Sequence, residues 1–345
     1  MFLQQAIDQK FSVLTVLVAG IVAVTAYYYW MERNKRRKQS PVKLQFKTSD
    51  ELQKVEWEHV GKVSKIWIYP VKSCAGIPLK NAQTGLLGLL DGSVRDRSFA
   101  FTTESGSLIR GSMIGATVKI KPLLNGNSLT LKYPDVEELS VDLEQVEAEK
   151  NEATINIFGD IAPGLDCGEA AARWLENVLG KKARLLHHST IPSPRTTESF
   201  VGKFPLVKKD DNCLYADSFP YLLMTKESIN DLQSRVSCQT PPENFRPNIL
   251  VEGISKAYDE DEWAYIKIGS SIFRNVRPCT RCTFTTVNYE TGTKEKDMEP
   301  LRTLKKYRCF LEGESSPCFG VHLAVELQGT ISDGDDVYVT RFAKS

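Results

Sequence analysis

From about Val60 onward the chain never sustains one apolar pattern for long. Short apolar or alternating segments recur instead: Lys65–Tyr69, Ser98–Thr102, Val118–Ile120, Ser128–Tyr133 and Thr154–Phe158. Turn pairs such as Asp91-Gly92 and Asn125-Gly126 separate them. Alternation places successive side chains on opposite faces of a strand, and Asp-Gly or Asn-Gly supplies the positive φ that tight hairpins require. Two segments break this rhythm. Ala171, Trp174, Leu175, Val178 and Leu179 follow a helical period within Gly168–Leu179, with Asp166 as candidate N-cap and Gly180 as C-cap. A second helix is expected near Lys226–Arg235, with Ile229 and Leu232 inward. Strands resume at Ile249–Val251, Ala264–Ile268, Thr283–Val287, His322–Leu327 and Val337–Phe342, the last after an Asp333-Gly334-Asp335 turn. Residues 189–212, rich in Ser, Thr, Pro and Lys, read as a long surface loop. The expected class is mostly β with inserted helices (α+β), built on an antiparallel barrel.

The N-terminus has a different character. After a ten-residue tail, Phe11 to Trp30 is 20 residues without a charge. A helix of that length spans about 30 Å, the hydrocarbon thickness of a bilayer. Tyr27, Tyr28, Tyr29 and Trp30 close the run as an interfacial aromatic cluster, and Arg33, Lys35, Arg36, Arg37 and Lys38 follow. A cleaved signal peptide would carry its basic residues before the apolar run and small residues after it. The order here predicts one uncleaved transmembrane helix at 11–30, a polar linker at 31–58 and a C-terminal part facing the cytosol. Two globular domains, 59–188 and 189–343, follow in this reading.

Charge narrows the partners. Of 44 Lys/Arg and 43 Asp/Glu, residues 1–40 hold six and two, which leaves 38 against 41, or −3, for the remainder. A mildly acidic domain argues against nucleic acid. Eight cysteines in 345 residues show no repeating framework and so no disulfide scaffold.

The chemistry concentrates at Arg277-Pro278-Cys279-Thr280-Arg281-Cys282. Arginines beside a thiol favour the thiolate, the form that attacks electrophiles or binds metal. Read alone, the Cys-x-x-Cys admits two unremarkable thiols, a zinc site or a disulfide. Zinc lacks a second closely spaced pair, since Cys309, Cys318 and His322 are scattered.

Separated stretches carry a resemblance. They are Trp67-Ile68-Tyr69-Pro70-Val71-Lys72-Ser73-Cys74, Arg95-Asp96-Arg97, Asp166-Cys167-Gly168-Glu169-Ala170-Ala171, Asn244-Phe245-Arg246-Pro247-Asn248-Ile249 and Pro278-Cys279-Thr280-Arg281-Cys282 with Thr285-Thr286-Val287. In that order they resemble the MOSC-domain molybdenum enzymes, the amidoxime-reducing components in particular, from about Val60 to Phe342. The resemblance implies an N-terminal β-barrel domain followed by the MOSC β-barrel. It implies molybdenum on molybdopterin (the molybdenum cofactor), with Cys282 as the protein ligand to the metal. Lys72, Ser73, Arg97, Ser218, Arg246, Asn248, Thr280 and Arg281 then hold the cofactor, and Asp217 stands as a proton relay. His322 occupies a late-strand position where the family commonly has tyrosine. Each has a plainer counterpart: a solvated Lys-Ser loop, a structural arginine, an Asx turn at Asp217, space filling at His322. Cys279 reads as a buried thiol, and Asp166, Cys167 and Glu169 as parts of a helix start.

The activity implied is reduction of N-hydroxylated compounds, namely amidoximes, hydroxylamines and N-hydroxyguanidines, with nitrite as a further acceptor. The chain has no Gly-rich dinucleotide motif and no flavin or haem signature, so electrons must come from a partner. The resemblance names cytochrome b5 and NADH-cytochrome b5 reductase. It places the anchor in the mitochondrial outer membrane, with endoplasmic reticulum or peroxisome as alternatives. The competing reading is a molybdenum cofactor carrier or sulfur-transfer module. The pyridoxal-phosphate domain that accompanies such modules has no room here.

Overall fold

A computed structural model describes residues 55–188 and 195–343. The segment expected to cross a membrane lies outside these residues. Among those described, no helix is long and apolar enough to do so.

The centre of the molecule is a sheet that closes on itself. Its strands run, in spatial order, Ile249–Glu252, Tyr221–Thr225, Cys318–Leu327, Ser271–Thr280, Trp263–Ile268, Asp336–Arg341 and Glu58–Ile68. The last pairs back onto the first, making a seven-stranded barrel, and Ile77–Leu79 is added outside the seam. All neighbours in the barrel are antiparallel except Tyr221–Thr225 with Ile249–Glu252. Closure leaves no strand edge to cover. The inside is filled by Ile66, Leu223, Val251, Trp263, Phe273 and Val339, all buried.

Three smaller sheets flank the barrel. One orders Glu152–Ile157, Asp160–Asp166, Arg184–His187 and Phe99–Thr102. A second joins Thr330–Ser332 to Asn81–Gly85, Gly88–Asp91 and Val94–Arg95. The third is a meander of Lys121–Asn125, Ser128–Tyr133 and Val136–Asp142. Among the described residues only the large sheet closes.

The helix at Gly168–Leu179 forms where the period predicts it and ends at Gly180 with φ 67°. It buries Ala171, Trp174, Leu175 and Val178 on the meander and the Arg184–His187 strand. Asp166 accepts from Gly168 N and, with Glu169, pairs with Arg184, so both acids are structural. Lys226–Gln233 is the second helix, capped by Thr225 Oγ1 on Ser228 N. The helices Leu143–Glu149 and Leu301–Tyr307 lack a periodic signal of their own.

Three expectations are corrected. Val118 lies in a 3₁₀ turn, Gly115–Lys119, not a strand. Thr283–Val287 is not a strand either: Thr283–Thr286 is a 3₁₀ turn, and the strand of this motif precedes it, ending at Thr280. The described part of 189–212 is not a surface loop, since Arg195, Thr197, Leu206, Val207 and Asp211 are buried.

Candidate functional site

The strand Glu58–Ile68 leads through Tyr69 and Pro70 into a turn that binds the segment ending in Phe99. Lys72 N donates to Phe99 O at 2.8 Å and Arg97 N to Tyr69 O at 2.8 Å. Ser73 and Arg97 both adopt left-handed backbone, φ 71° and 51°, as does Arg246 at 61°. Non-glycine residues rarely sit there, and such positions cluster where surroundings hold a functional side chain in place.

Tyr69 is a buried platform. The Arg97 guanidinium lies 4.5 Å from its ring centroid and that of Arg246 4.3 Å. Arg97 donates to Asn248 Oδ1 at 3.1 Å and to Arg246 O at 3.1 Å, and pairs with Asp96. Asp96 is buried and also accepts from Tyr69 N and from Asn248 Nδ2. Burial pushes its carboxyl up, against the pull of Arg97.

Arg246 donates from Nη1 to Cys74 O and lies 5.7 Å from the Phe284 centroid. Its Nη2 is buried without a protein partner. Desolvation, then the Arg97 charge, lowers it to about 10, so it stays cationic at neutral pH. A guanidinium that keeps its charge beside another, with a donor unpaired, is arranged for an anion.

Lys72 donates from Nζ to Tyr215 O at 2.7 Å and to Asp217. Burial lowers Lys72, and Asp217 raises it in part. For Asp217, packing raises the carboxyl, but Lys72 outweighs this and holds it below the ordinary carboxylate range. The Asp217 side chain is 60% exposed, so one face of this pair is open to water. Ser73 Oγ accepts from Gly111 N at 3.1 Å. A Cβ on Gly111 would fall 2.4 Å from the Phe284 ring, so only glycine lets this loop approach.

The two cysteines of the motif differ sharply. Cys282 is exposed at the start of the 3₁₀ turn, its sulfur 3.5 Å from Phe284 N. Cys279 is buried, and Arg281 Nη1 donates to its sulfur at 2.9 Å. Arg281 also donates to Phe245 O at 2.6 Å, while its buried Nε has no partner. Burial raises the Cys279 thiol, but Arg281 and His322 outweigh it and lower it to about 6. Arg277, the other arginine of the motif, pairs with Glu314.

The structure thus joins Lys72 to Asp217, Arg97 to Arg246 and Asn248, and places Arg246 against the turn that begins at Cys282. Asn248 is fully engaged: Nδ2 donates to Trp67 O and Asp96, and Oδ1 accepts from Leu222 N and Arg97. Its side chain therefore orders the cradle from within. Ser218, beside Asp217, and Thr280, at the strand end opposite Cys318, are half-buried. His322 Nδ1 lies 3.3 Å from Tyr221 O. Tyr69, Asp96 and Phe284 were not singled out by sequence. The only signal was that Tyr69 and Asp96 lie within the matched motifs. A cleft of about 910 Å³ opens beside Tyr69, Arg246 and Phe284, with Trp67 and Tyr289 among its walls; Cys282 is not in its lining.

Comparison with known proteins agrees with this organisation. Residues 60–182 match the MOSC N-terminal beta barrel domain and residues 210–338 the MOSC domain. The chain is 37% identical over 287 residues to human "Mitochondrial amidoxime reducing component 2", covering 81% of this chain and 84% of that protein. It is 34% identical over 288 residues to human "Mitochondrial amidoxime-reducing component 1", covering 82% and 84%. The Xenopus laevis component 1 matches at 32% over 336 residues, 95% of this chain and 92% of that one. With both domains present and alignment across most of each relative, the chain belongs to the mitochondrial amidoxime-reducing component family of MOSC-domain proteins.

Proposed function

We propose that this protein reduces N-hydroxylated compounds (amidoximes, hydroxylamines and N-hydroxyguanidines, with nitrite as a further acceptor) on a molybdenum–molybdopterin cofactor. Its electrons come from cytochrome b5, fed by NADH-cytochrome b5 reductase. The carrying observation is the cradle itself: stacked Arg97 and Arg246, with Arg246 Nη2 buried and unpaired, leading to an exposed thiol at Cys282. The relatives' printed names supply the substrate class.

The residues present fit such a cofactor. Its phosphate and pterin oxygens need fixed donors, and Arg246 Nη2 and Arg281 Nε are buried donors without protein acceptors. Lys72, Ser73, Arg97, Ser218 and Thr280 complete the holding set, and a soft thiolate at Cys282 suits a metal already held by sulfur. When bound, the cofactor supplies two-electron oxygen transfer from the substrate nitrogen. The chain orients the substrate and manages protons. Asp217, held ionised by Lys72, is a poor acid at neutral pH. Its role in this reading is to fix Lys72 and to pass protons in from water, not to be their source.

Residues 11–30 anchor the chain in the mitochondrial outer membrane in this proposal, with 59–188 and 189–343 as cytosolic domains. Sharing a membrane with the cytochrome raises their effective concentration. The test is the full chain, made in a molybdopterin-producing host and purified in detergent. Near-stoichiometric molybdenum, and NADH-dependent reduction of an aryl amidoxime that requires both cytochrome b5 and its reductase, is the expected result. Well-folded protein without molybdenum, or with zinc in its place, would overturn the reading.

A further inference from the structure

We propose that Phe158, Met113 and Arg110 form a rim at the Cys282 site that takes the aryl group of an N-hydroxylated substrate. The inference rests on the proposed reduction and names the part of the substrate that the site selects. It begins at a misfit between sequence and turn. Ile157 pairs with Asp160 across a two-residue turn, Phe158-Gly159, with φ 56° and 103°. A hairpin turn of this kind needs positive φ at both central residues and usually has Asn, Asp or Gly at the first. A bulky aromatic there is an outlier. At 61% exposure, the Phe158 ring gains no core burial in return. Asn156 Oδ1 accepts from Gly159 N at 2.8 Å and holds the turn in this shape.

A second loop meets this tip. Asn156 N donates to Gly106 O at 2.8 Å and Leu108 N to Asn156 O at 3.3 Å, so the chain after Gly106 runs along the hairpin. The Arg110 guanidinium lies 6.0 Å from the Phe158 centroid, and its Nη2 donates to Met113 Sδ at 3.5 Å. Arg110 is exposed, and Met113 is 61% exposed. Between them the loop reaches the cradle. Gly111 N donates to Ser73 Oγ at 3.1 Å. Gly111 also packs on the ring of Phe284, two residues past Cys282, so closely that a Cβ would fall 2.4 Å from it. On the other flank Arg195 pairs with Asp160 at 3.6 Å and donates to Asp217 O at 3.4 Å. The rim is thus tied to the Ser73–Phe284 side of the site and to the Asp217 side.

Single exposed apolar side chains are ordinary, but here two share one spot and a cation joins them. The spot is far too small for a carrier protein, since a stable interface takes about 20 residues a side. It suits one aromatic ring. Phe158 offers a ring edge or face, and the Met113 sulfur packs well against aromatics. Arg110 adds a permanent positive charge, which favours an acidic ring substituent and disfavours a cationic one. The class selected is therefore aryl amidoximes and aryl hydroxylamines, those with a ring carboxylate above all. Hydroxylamine itself and nitrite gain nothing from the rim. The three side chains are positioning residues, and the reacting nitrogen lies beyond them.

The experiment has two arms, both on the full cofactor-loaded chain in detergent. In the first, a reduced viologen replaces the carrier protein as electron donor. Phe158→Ser with Met113→Ser should lower the ratio of kcat/KM for benzamidoxime to that for hydroxylamine about tenfold, mainly through KM. Arg110→Gln should lower the preference for benzamidoxime bearing a para-carboxylate several-fold, and Arg110→Lys should restore most of it. An unchanged ratio, or equal losses on both substrates, would overturn the rim. So would a loss seen only with cytochrome b5 as donor, which would make the patch a carrier contact. The second arm needs no turnover. With carbon-13 in the methyl groups of the five methionines, the Met113 signal is identified by Met113→Leu. It should shift on adding benzamidoxime, and shift less in Phe158→Ser at the same concentration. An unmoved signal would overturn the proposal. A shift in protein that turns over neither substrate would leave the rim standing and reject the reduction.

Discussion

Two buried charge systems share the barrel, and they are finished differently. Around the Asp259–Glu262 turn, Glu260 accepts from Thr225 and Ser228, Asp259 from Trp263 Nε1 and Arg341, and Asp261 from Arg308. The unpaired buried atom of that turn is an acceptor, Asp261 Oδ1. Around Tyr69 the unpaired buried atoms include two charged donors, Arg246 Nη2 and Arg281 Nε, beside the Tyr69 hydroxyl and one amide acceptor, Asn244 Oδ1. The first system ties the start of a helix to the last strand and leaves one carboxylate oxygen unanswered. The second holds more donor capacity than the chain answers. Buried polar groups are rarely left so without a reason. The contrast separates a strut from a receptor for an anion, although both are dense in charge.

The contrast can be broken from either side. Trp263→Ala should do most harm, removing a fully buried ring and the Asp259 hydrogen bond together. A loss of about 3–5 kcal/mol in chemical denaturation is expected. A loss under about 1 kcal/mol would mean that this corner is not a strut. Cys282→Ala should abolish amidoxime turnover and molybdenum retention while leaving stability within about 0.5 kcal/mol, as for an exposed side chain; Cys279→Ala should retain the metal. If the two exchanged behaviours, the ligand would be Cys279.

Arg246→Ala sharpens the comparison further. In the strut, removing a cation should destabilise the empty protein. In the cradle it relieves a desolvated charge beside Arg97, so the cofactor-free protein should be no less stable while cofactor retention falls. Denaturation of the empty variant decides, and a drop of several kcal/mol would make Arg246 structural.

The smallest effect concerns pH outside both systems. His187 and His188 are lowered to about 4 chiefly by burial, the former stacked 4.4 Å from Phe99. Between their unfolded value near 6.5 and about 4, the unfolded chain binds more protons, so stability falls as pH drops through that window. His187→Phe should flatten the slope. An unchanged slope would assign the acid sensitivity to the carboxylates.

Much of this was legible in sequence, and the failures share a cause. Alternation and Gly turns located most barrel strands, and the helix at Gly168–Leu179 was readable from period and cap. Thr283–Val287 misled because β-branched residues suit strands. Yet Thr285 Oγ1 donates back to Cys282 O and Thr286 Oγ1 to Thr283 O, and such local bonds favour a turn. Thr117, donating to Ile114 O, did the same beside Val118. Composition registers a threonine's shape but not where its hydroxyl goes. The motifs marked which residues converge, but not their pairings. Asn248 was consumed by Asp96, Arg97 and backbone, and partners up to 181 positions apart leave no local trace. Arg281 served Cys279, two residues away, and not Cys282, because spacing alone does not say which neighbouring thiol a side chain meets.

The seam of the barrel sets an order of events. Glu58–Ile68 is hydrogen-bonded on one side to Ile249–Glu252 and on the other to Asp336–Arg341. The first described strand therefore waits for the last, and ring closure spans nearly the whole globular length, a slow kind of contact to make. During synthesis the strand beneath the Tyr69 platform can pair with Ile77–Leu79 and then with Ile249–Glu252, but its Glu58–Lys62 end stays open on the other side until the C-terminal residues emerge. A nascent chain stalled before residue 336 carries two open edges, and it is this half-made ring, not the finished one, that calls for protection by chaperones.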